Sequence, residues 1–297
     1  MRLAAAFAAL PGVLALGENP GVCVATKCTV PLAECEINTV CRTWEGCVTG
    51  CTGVDPLPCQ IRCADLYHPT DATAAAIDKF SECAISTNHC VAQTGSASDC
   101  KPPANAGSLP AFDQATLASV AGGNSTWFVT RGHNPLFDCF DCQVHTFSMV
   151  PQPPPPAGDP AAKTLFGDLA YLVKKDLGCN STAAAPCPYL PRLVHQGWRA
   201  DAGSSAHLIN SNNSLAEMHY SDDWYVLASR DDAYVLVYYC GCNDANCGYG
   251  GAVLYTRDPD ARALADGDKA ALAAALVAAD VGFTFDSMCT PNNIACS

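Results

Sequence analysis

Basic residues are scarce in this sequence: 16 Lys and Arg stand against 29 Asp and Glu, and the formal net charge is -13. Charged residues make up only 15% of the chain, and Lys174-Lys175 is an isolated pair. A surface without a basic stripe cannot neutralise a row of phosphates, so no nucleic-acid partner is expected. The same acidity disfavours electrostatic docking on anionic lipid but leaves neutral lipid open.

Several cofactor signatures are also missing. Gly248-Tyr249-Gly250-Gly251 is a turn before a strand, not a glycine loop before a helix, and no nicotinamide or flavin fingerprint occurs. Histidine is absent among the first eight cysteines, and these are not closely paired, so no metal site is expected. Long apolar runs are confined to the start. Met1-Arg2-Leu3 and the alanine-rich run to Leu16 have the make-up of a signal core, with small residues near Ala15 and Gly17 at a cleavage border. The alternative is an arbitrary start, with targeting sequence missing upstream. Residues 261–281 are alanine-rich, but Asp266, Asp268, Lys269 and Asp280 interrupt them, so they read as a helix and not a bilayer span.

Cysteine, by contrast, is abundant, with 20 in 297 residues, ten of them before residue 91. That density predicts a disulfide-stapled module over residues 20–92 and an oxidising compartment. Stapling alone explains the cysteines; a redox-active pair is the alternative. The spacing suits short helices, and Asp71 to His89 reads as one, with Ala75, Ile77, Phe80, Ala84 and Ile85 forming an apolar stripe. Five bridges are possible there, but their pairing is not legible.

Residues 93–107 read as a linker, and residues 108–257 as a mainly β domain. Strands are expected at Trp127 to Thr130, within Leu136 to Val150, and at Leu169 to Val173, Leu193 to Ala200, Met218 to Ala228, Tyr234 to Tyr239 and Ala252 to Arg257. Asn210 to Asn213, Arg230 to Asp232 and Asn243 to Gly251 read as turns between the later ones. Pro151 to Pro156 reads as an extended loop, and Ser181 to Pro191 as an insertion stapled by Cys179 and Cys187. Residues 258–297 are expected to form an alanine-rich helix and a cysteine-containing tail. Antiparallel strands at this density suggest a small closed barrel, with a sandwich as the alternative.

Alternate residues of a strand share a face. Tyr220, Asp222, Trp224 and Val226 therefore lie together, as do Gln196 with Trp198, Val235 and Val237 with Tyr239, and Val253 with Tyr255. Turned inward, these faces make an aromatic interior holding one carboxylate, suited to a long apolar ligand with a polar reacting group. Turned otherwise, Trp198 and Trp224 are plain core, and Tyr239 and Tyr255 serve sheet edges.

Three long stretches carry a further signal: Leu136-Phe137-Asp138-Cys139-Phe140-Asp141-Cys142-Gln143-Val144-His145, His219-Tyr220-Ser221-Asp222-Asp223-Trp224-Tyr225, and Tyr238-Tyr239-Cys240-Gly241-Cys242-Asn243-Asp244 with Gly248 to Arg257. With Cys59-Gln60-Ile61-Arg62-Cys63-Ala64-Asp65-Leu66-Tyr67 and Glu82-Cys83-Ala84-Ile85-Ser86, they resemble the violaxanthin de-epoxidase family from about residue 23 to residue 257. The resemblance implies a lipocalin-like antiparallel barrel behind a disulfide-rich helical module, in the chloroplast thylakoid lumen. It implies an oxidoreductase that uses ascorbate to remove epoxide oxygen from the xanthophyll violaxanthin, giving antheraxanthin and zeaxanthin at acidic pH. On this resemblance Asp222 is the catalytic acid, and Gln196, Tyr239 and Tyr255 are polar lining groups for substrate or ascorbate. Trp224 is an aromatic wall, Trp198 stands where the family enzyme has phenylalanine, and Tyr220 shares the face of Asp222. Trp127 sits near the first-strand tryptophan typical of lipocalins.

The family enzyme has arginines where Cys240 and Cys242 stand, an aspartate at Cys247, and a glutamate-rich carboxyl-terminal region where this chain has its alanine-rich helix. These departures resemble the de-epoxidase-related branch. His145 and His219 lie inside the shared stretches and are expected to sense pH, destabilising a closed barrel when protonated. Acid-dependent association with thylakoid lipid and a homodimer are the further partners this reading admits. A non-catalytic carotenoid or lipid carrier is the alternative function, and a disulfide-linked structural protein is a third.

Overall fold

A computed structural model describes residues 20–50, 62–64, 66–67, 74–88, 90, 101–118, 125–134, 138–149, 164–175, 187–215, 218–230, 233–243 and 247–296. The side chains of 20, 85–86, 211–215, 218–221, 242–243, 247–249, 261 and 294–295 lie outside that description. The chain divides into two compact units, an amino-terminal one and a barrel.

In the amino-terminal unit, short helices follow one another: α1 (Pro20–Lys27), α2 (Thr29–Ile37), α3 (Thr39–Gly50) and α4 (Ala75–Ser81). The helix expected from residue 71 to residue 89 changes type part-way, since Glu82–Thr87 continues α4 as a π-helix. Short helices are marginal alone, and here covalent bonds and a small core hold them. Cys23–Cys90 and Cys28–Cys83 tie the start of the module to its end, Cys35–Cys41 ties α2 to α3, and Cys47–Cys63 closes a further loop. Val24, Ile77 and Phe80 are buried among these sulfurs, with Trp44 packed edge-on against Phe80.

The second unit is a closed antiparallel barrel in which eight strands follow one another in sequence order. The strands are β1 (Thr126–Gly132), β2 (Asp141–Ser148), β3 (Leu165–Lys174), β4 (Tyr189–Asp201), β5 (Ser204–Leu215), β6 (Met218–Arg230), β7 (Tyr234–Asn243) and β8 (Cys247–Thr256). Closure comes from β1, which pairs with both β2 and β8. The sandwich alternative is thereby removed. Two expectations are corrected: Asn210 to Asn213 is not a turn but part of β5, and the turn read over Asn243 to Gly251 is shorter, since Asn243 ends β7 and residues 247–251, with Gly248 to Gly251 among them, already belong to β8. Ala206, Leu208 and Asn210 alternate inward along β5, and the Asn210 Nδ2 donates to Gln196 Oε1 at 3.4 Å. Polar residues hid a strand whose hydrogen-bonding needs are met inside the barrel.

Strands β6 to β8 are buried on both faces. Inward residues such as Trp224, Val237 and Tyr255 alternate with Tyr225, Leu227, Leu236, Tyr238 and Leu254, which pack outward against a helix α5 (Asp266–Ala279) and the segment after it. Leu272, Leu276 and Ala279 form the buried stripe of α5, and Asp266 and Asp268 in its first turn suit the helix dipole. The stretch read as linker is held at its far end, with Tyr238 Oη donating to the Lys101 carbonyl and the Ala104 N–H to the Ala279 carbonyl.

The tail is bound to the start of the barrel. Gly132 and Cys289 exchange two backbone hydrogen bonds, and Asn293 Nδ2 donates to the Val129 carbonyl at 2.8 Å. Disulfides Cys139–Cys289 and Cys142–Cys296 lock this arrangement. Cys187 and Cys240 are also in disulfides. Gly132 has no room for a side chain, because a Cβ would lie 2.6 Å from the Asp138 carbonyl oxygen.

Candidate active site in the barrel

Strand alternation brings the predicted aromatic residues together. Trp198 on β4 and Trp224 on β6 are buried with ring centroids 4.4 Å apart. Phe147 on β2 lies 5.9 Å from Trp198, and Tyr255 on β8 lies 6.0 Å from Trp224. Gly167 on β3 makes space for this cluster, since a Cβ would come within 3.0 Å of Trp198 and 3.1 Å of Phe147. At the lower end, Trp127 donates from Nε1 to the Leu117 carbonyl, and Arg257 lies 3.8 Å over its ring.

The two central tryptophans differ from Trp127 in one respect. Neither Trp198 Nε1 nor Trp224 Nε1 has a hydrogen-bond partner, and the same holds for Gln143 Oε1 and His145 Nε2. A buried polar group left unpaired costs about 1–3 kcal/mol. These four atoms on β2, β4 and β6 give the interior polar groups that a bound ligand could pair.

Two carboxylates, not the expected one, are buried here. Asp222 is only 9% exposed and shares the face of Trp224 and Val226. Asp138, in the loop before β2, is more deeply enclosed. Its Oδ2 accepts the N–H groups of His133 and Asn134 at 3.1 and 2.9 Å, and its Oδ1 accepts the Tyr239 hydroxyl at 2.6 Å. Gly251, on the face of Val253 and Tyr255, leaves room for this pair, since a Cβ would lie 2.8 Å from Asp138 Oδ2. Burial pushes the Asp138 carboxyl up to about 7, against the opposing effect of its hydrogen bonds from Asn134, Tyr239 and His133.

His145 is also interior, with Nδ1 3.0 Å from the Tyr255 hydroxyl. Burial lowers its pKa to about 3, and burial, then the Asp138 charge, raise the Tyr255 phenol well above its usual range. Either tautomer of His145 leaves Nε2 unpaired. Gln196 is tied to Asn210. The side chains of His219 and Tyr220 lie outside the described residues. Among the described residues, no three His, Cys, Asp or Glu converge in a metal-binding group, and no helix is long and apolar enough to cross a membrane.

Sequence reasoning missed Asp138 and Gln143 as interior groups. Gln143 has the parity of His145, which was signal enough. Asp138 had none, because loop geometry alone turns it inward.

The two interior titrations act in opposite directions. His145 is held at about 3 against an ordinary 6.5, so its contribution to folded stability is present above 6.5 and lost as pH falls. Asp138 is raised to about 7 from 3.8, so its cost to the fold is present above 7 and relieved as pH falls. Between pH 7 and 5 each is worth about 2 kcal/mol, and they nearly cancel. Relative to the parent, Asp138→Asn should therefore lose about 2 kcal/mol of stability between pH 7 and pH 5, as measured by urea unfolding. A pH slope equal to that of the parent would refute this pairing.

A family model described as "VDE lipocalin domain" matches residues 20–293. The chain belongs to the violaxanthin de-epoxidase family. It is 34% identical to "Violaxanthin de-epoxidase, chloroplastic" of Spinacia oleracea over 243 residues, covering 79% of this chain and 44% of that protein. It is 33% identical to the Arabidopsis thaliana protein of the same name over 265 residues, covering 86% and 50%. The chain thus spans about half the length of the curated relatives it matches. Among solved structures, lobster apocrustacyanin A1 covers 65% of this chain and 89% of its own at 13% identity, with a TM-score of 0.34, too low to add to the barrel described above. The family's shared stretches contain Asp138, Gln143, His145, Asp222, Trp224, Tyr239 and Tyr255, all buried.

Proposed function

We propose that this barrel removes epoxide oxygen from a xanthophyll such as violaxanthin, with ascorbate as reductant. The observation that carries the reading is Asp138, a fully enclosed carboxyl at about 7 that is hydrogen-bonded to Tyr239. A carrier has no use for a buried titrating acid, whereas opening an epoxide requires a proton at the departing oxygen. The relatives' names and the shared stretches support the substrate class. Their chloroplast address, with the disulfides of this chain, supports a thylakoid-lumen location.

Asp222, buried on the strand face of Trp224 and Val226, protonates the epoxide oxygen in this reading. Below about pH 7, Asp138 is protonated and donates to the Tyr239 oxygen, which frees the Tyr239 proton to point into the barrel. Above that pH the carboxylate again accepts a hydrogen bond from the Tyr239 hydroxyl. The site thereby gains a second interior donor on acidification. Trp198 and Trp224 wall the polyene and offer their free N–H groups to ring oxygens. Gln143, Gln196, His145 and Tyr255 supply the polar atoms that would orient the reductant. Ascorbate supplies two electrons, so epoxide and ascorbate give alkene, dehydroascorbate and water.

The test is purified protein with violaxanthin and ascorbate at pH 5 and pH 7.5, followed by pigment absorbance. Product formation, faster at pH 5, is the expected result. Pigment bound but unchanged would replace this reading with that of a carrier, and neither binding nor product would remove both.

A further inference from the structure

Outside the barrel, one histidine is held in a way the proposed chemistry does not use. His207 on β5 points away from the interior, between two carboxylates on the neighbouring strands. Its Nδ1 lies 3.4 Å from Asp201 Oδ2 on β4, and its Nε2 lies 3.2 Å from Asp223 Oδ2 on β6. The Nε2 contact is close but not aligned as a hydrogen bond. The ring stacks on Tyr225 of β6, with centroids 4.5 Å apart and planes within 6°. The groups in contact with His207 are thus Asp201, Asp223 and the Tyr225 ring, none of them cationic, with Tyr238 of β7 beyond Tyr225 at 6.3 Å. Arg199, two residues before Asp201 on the same face of β4 and opposite Ile209, is exposed and is not among the groups that shift the histidine. Two carboxylates and an aromatic face all favour the imidazolium form.

Asp223 is the residue after Asp222. Strand alternation sends one carboxylate out to His207 and the other into the barrel. Whatever holds Asp223 therefore holds the peptide from which Asp222 projects. We propose that His207 is a positioning residue for Asp222: as an imidazolium it clamps β4, β5 and β6 together through Asp201 and Asp223, and so fixes the inward carboxyl, and it releases them when it loses its proton. The inference rests on the role given above to Asp222, and it adds a reason for acid dependence that lies outside the site.

The electrostatics agree with the geometry. The His207 pKa is raised above 6.5, by Asp223 first and then, against partial burial, by Asp201. The folded-state value exceeds the unfolded one, so the clamp contributes fully below 6.5 and is lost as pH rises through the raised value. The same contacts push the Tyr225 phenol up to about 12, mainly through burial and then through Asp223. Its ring therefore stays neutral across the range in which His207 titrates.

The test uses the full chain with His207→Gln and His207→Lys. Lysine keeps a positive charge at all relevant pH, and glutamine never has one. With violaxanthin and ascorbate, His207→Gln should lower kcat at pH 5 by roughly 10-fold with KM little changed, and this deficit should vanish at pH values above the histidine's titration. His207→Lys should hold the acid-side rate to higher pH than the parent does. A deficit that is the same at every pH would mean an ordinary structural role and would overturn the proposal. If the parent protein turns over no epoxide, the functional reading fails but the clamp is still decided by urea unfolding. The parent should then lose stability through the His207 titration, read by histidine-selective NMR, and His207→Gln should not. Equal pH slopes, or a His207 titration at or below 6.5, would remove the clamp.

Discussion

Asp222→Asn is expected to lower epoxide turnover by about 10²- to 10⁴-fold, the range over which a positioned acid assists a reaction. Asparagine has nearly the volume of aspartate and keeps its polar contacts, but an amide does not give up a proton. The side chain is buried, and its neighbours Trp224 and Val226 pack into the barrel. Tryptophan fluorescence and unfolding midpoint should therefore stay near the parent values while kcat collapses and KM holds. That split separates lost chemistry from lost binding. Parent-like turnover in Asp222→Asn would move the acid role to the Asp138–Tyr239 pair. Tyr239→Phe would then show the large loss instead, since it removes the hydroxyl that Asp138 holds at 2.6 Å.

Removing both tail disulfides is expected to cost about 8 kcal/mol, more than twice the roughly 3 kcal/mol for the loss of either one. Cys139–Cys289 and Cys142–Cys296 close loops of 150 and 154 residues in sequence separation, and these loops are almost the same loop. With either bridge intact, the other adds only a small ring of about a dozen residues, worth about 3 kcal/mol in chain entropy. The last bridge to go then opens the full loop, at about 5 kcal/mol. A domain of this size has roughly 5–15 kcal/mol in total, so single-bridge variants should fold and the double variant should be near its limit. Urea midpoints of the two single-bridge serine variants and of the double variant decide this. Equal costs for the first and second bridge would mean that the two loops do not share their constraint. The backbone bonds between Gly132 and Cys289, and from Asn293 to Val129, should hold the tail in the single variants.

Much of the site was legible from period-two alternation. Trp198, Trp224, Tyr239 and Tyr255 point inward as the parity of their strands required, because sheet geometry leaves each residue only two directions. Asp223, the next residue, was correspondingly sent outward, although nothing in the sequence tied it to His207. β5 was not legible. Its Asn210 has the composition of a turn, and only the approach of Gln196 from β4 supplies the bond that makes it a strand residue. Asp138 was not legible either. It lies in a loop, where no period applies, and the backbone N–H groups of His133 and Asn134 turn it inward.

The sequence by itself determined the class of the protein: a cysteine-stapled helical module, an antiparallel barrel with an aromatic interior, and membership of a family carried by long shared stretches. Local patterns suffice for these, because cysteine density, alternation and motif identity are properties of neighbouring residues. Only the tertiary structure decided which groups meet. It paired Cys139 and Cys142 with cysteines some 150 residues away, enclosed Asp138 beside Tyr239, and set His207 between Asp201 and Asp223. Each of these depends on strands distant in sequence arriving side by side. The shifted titrations follow from that arrival, because burial and facing charges are properties of the closed barrel and not of any segment.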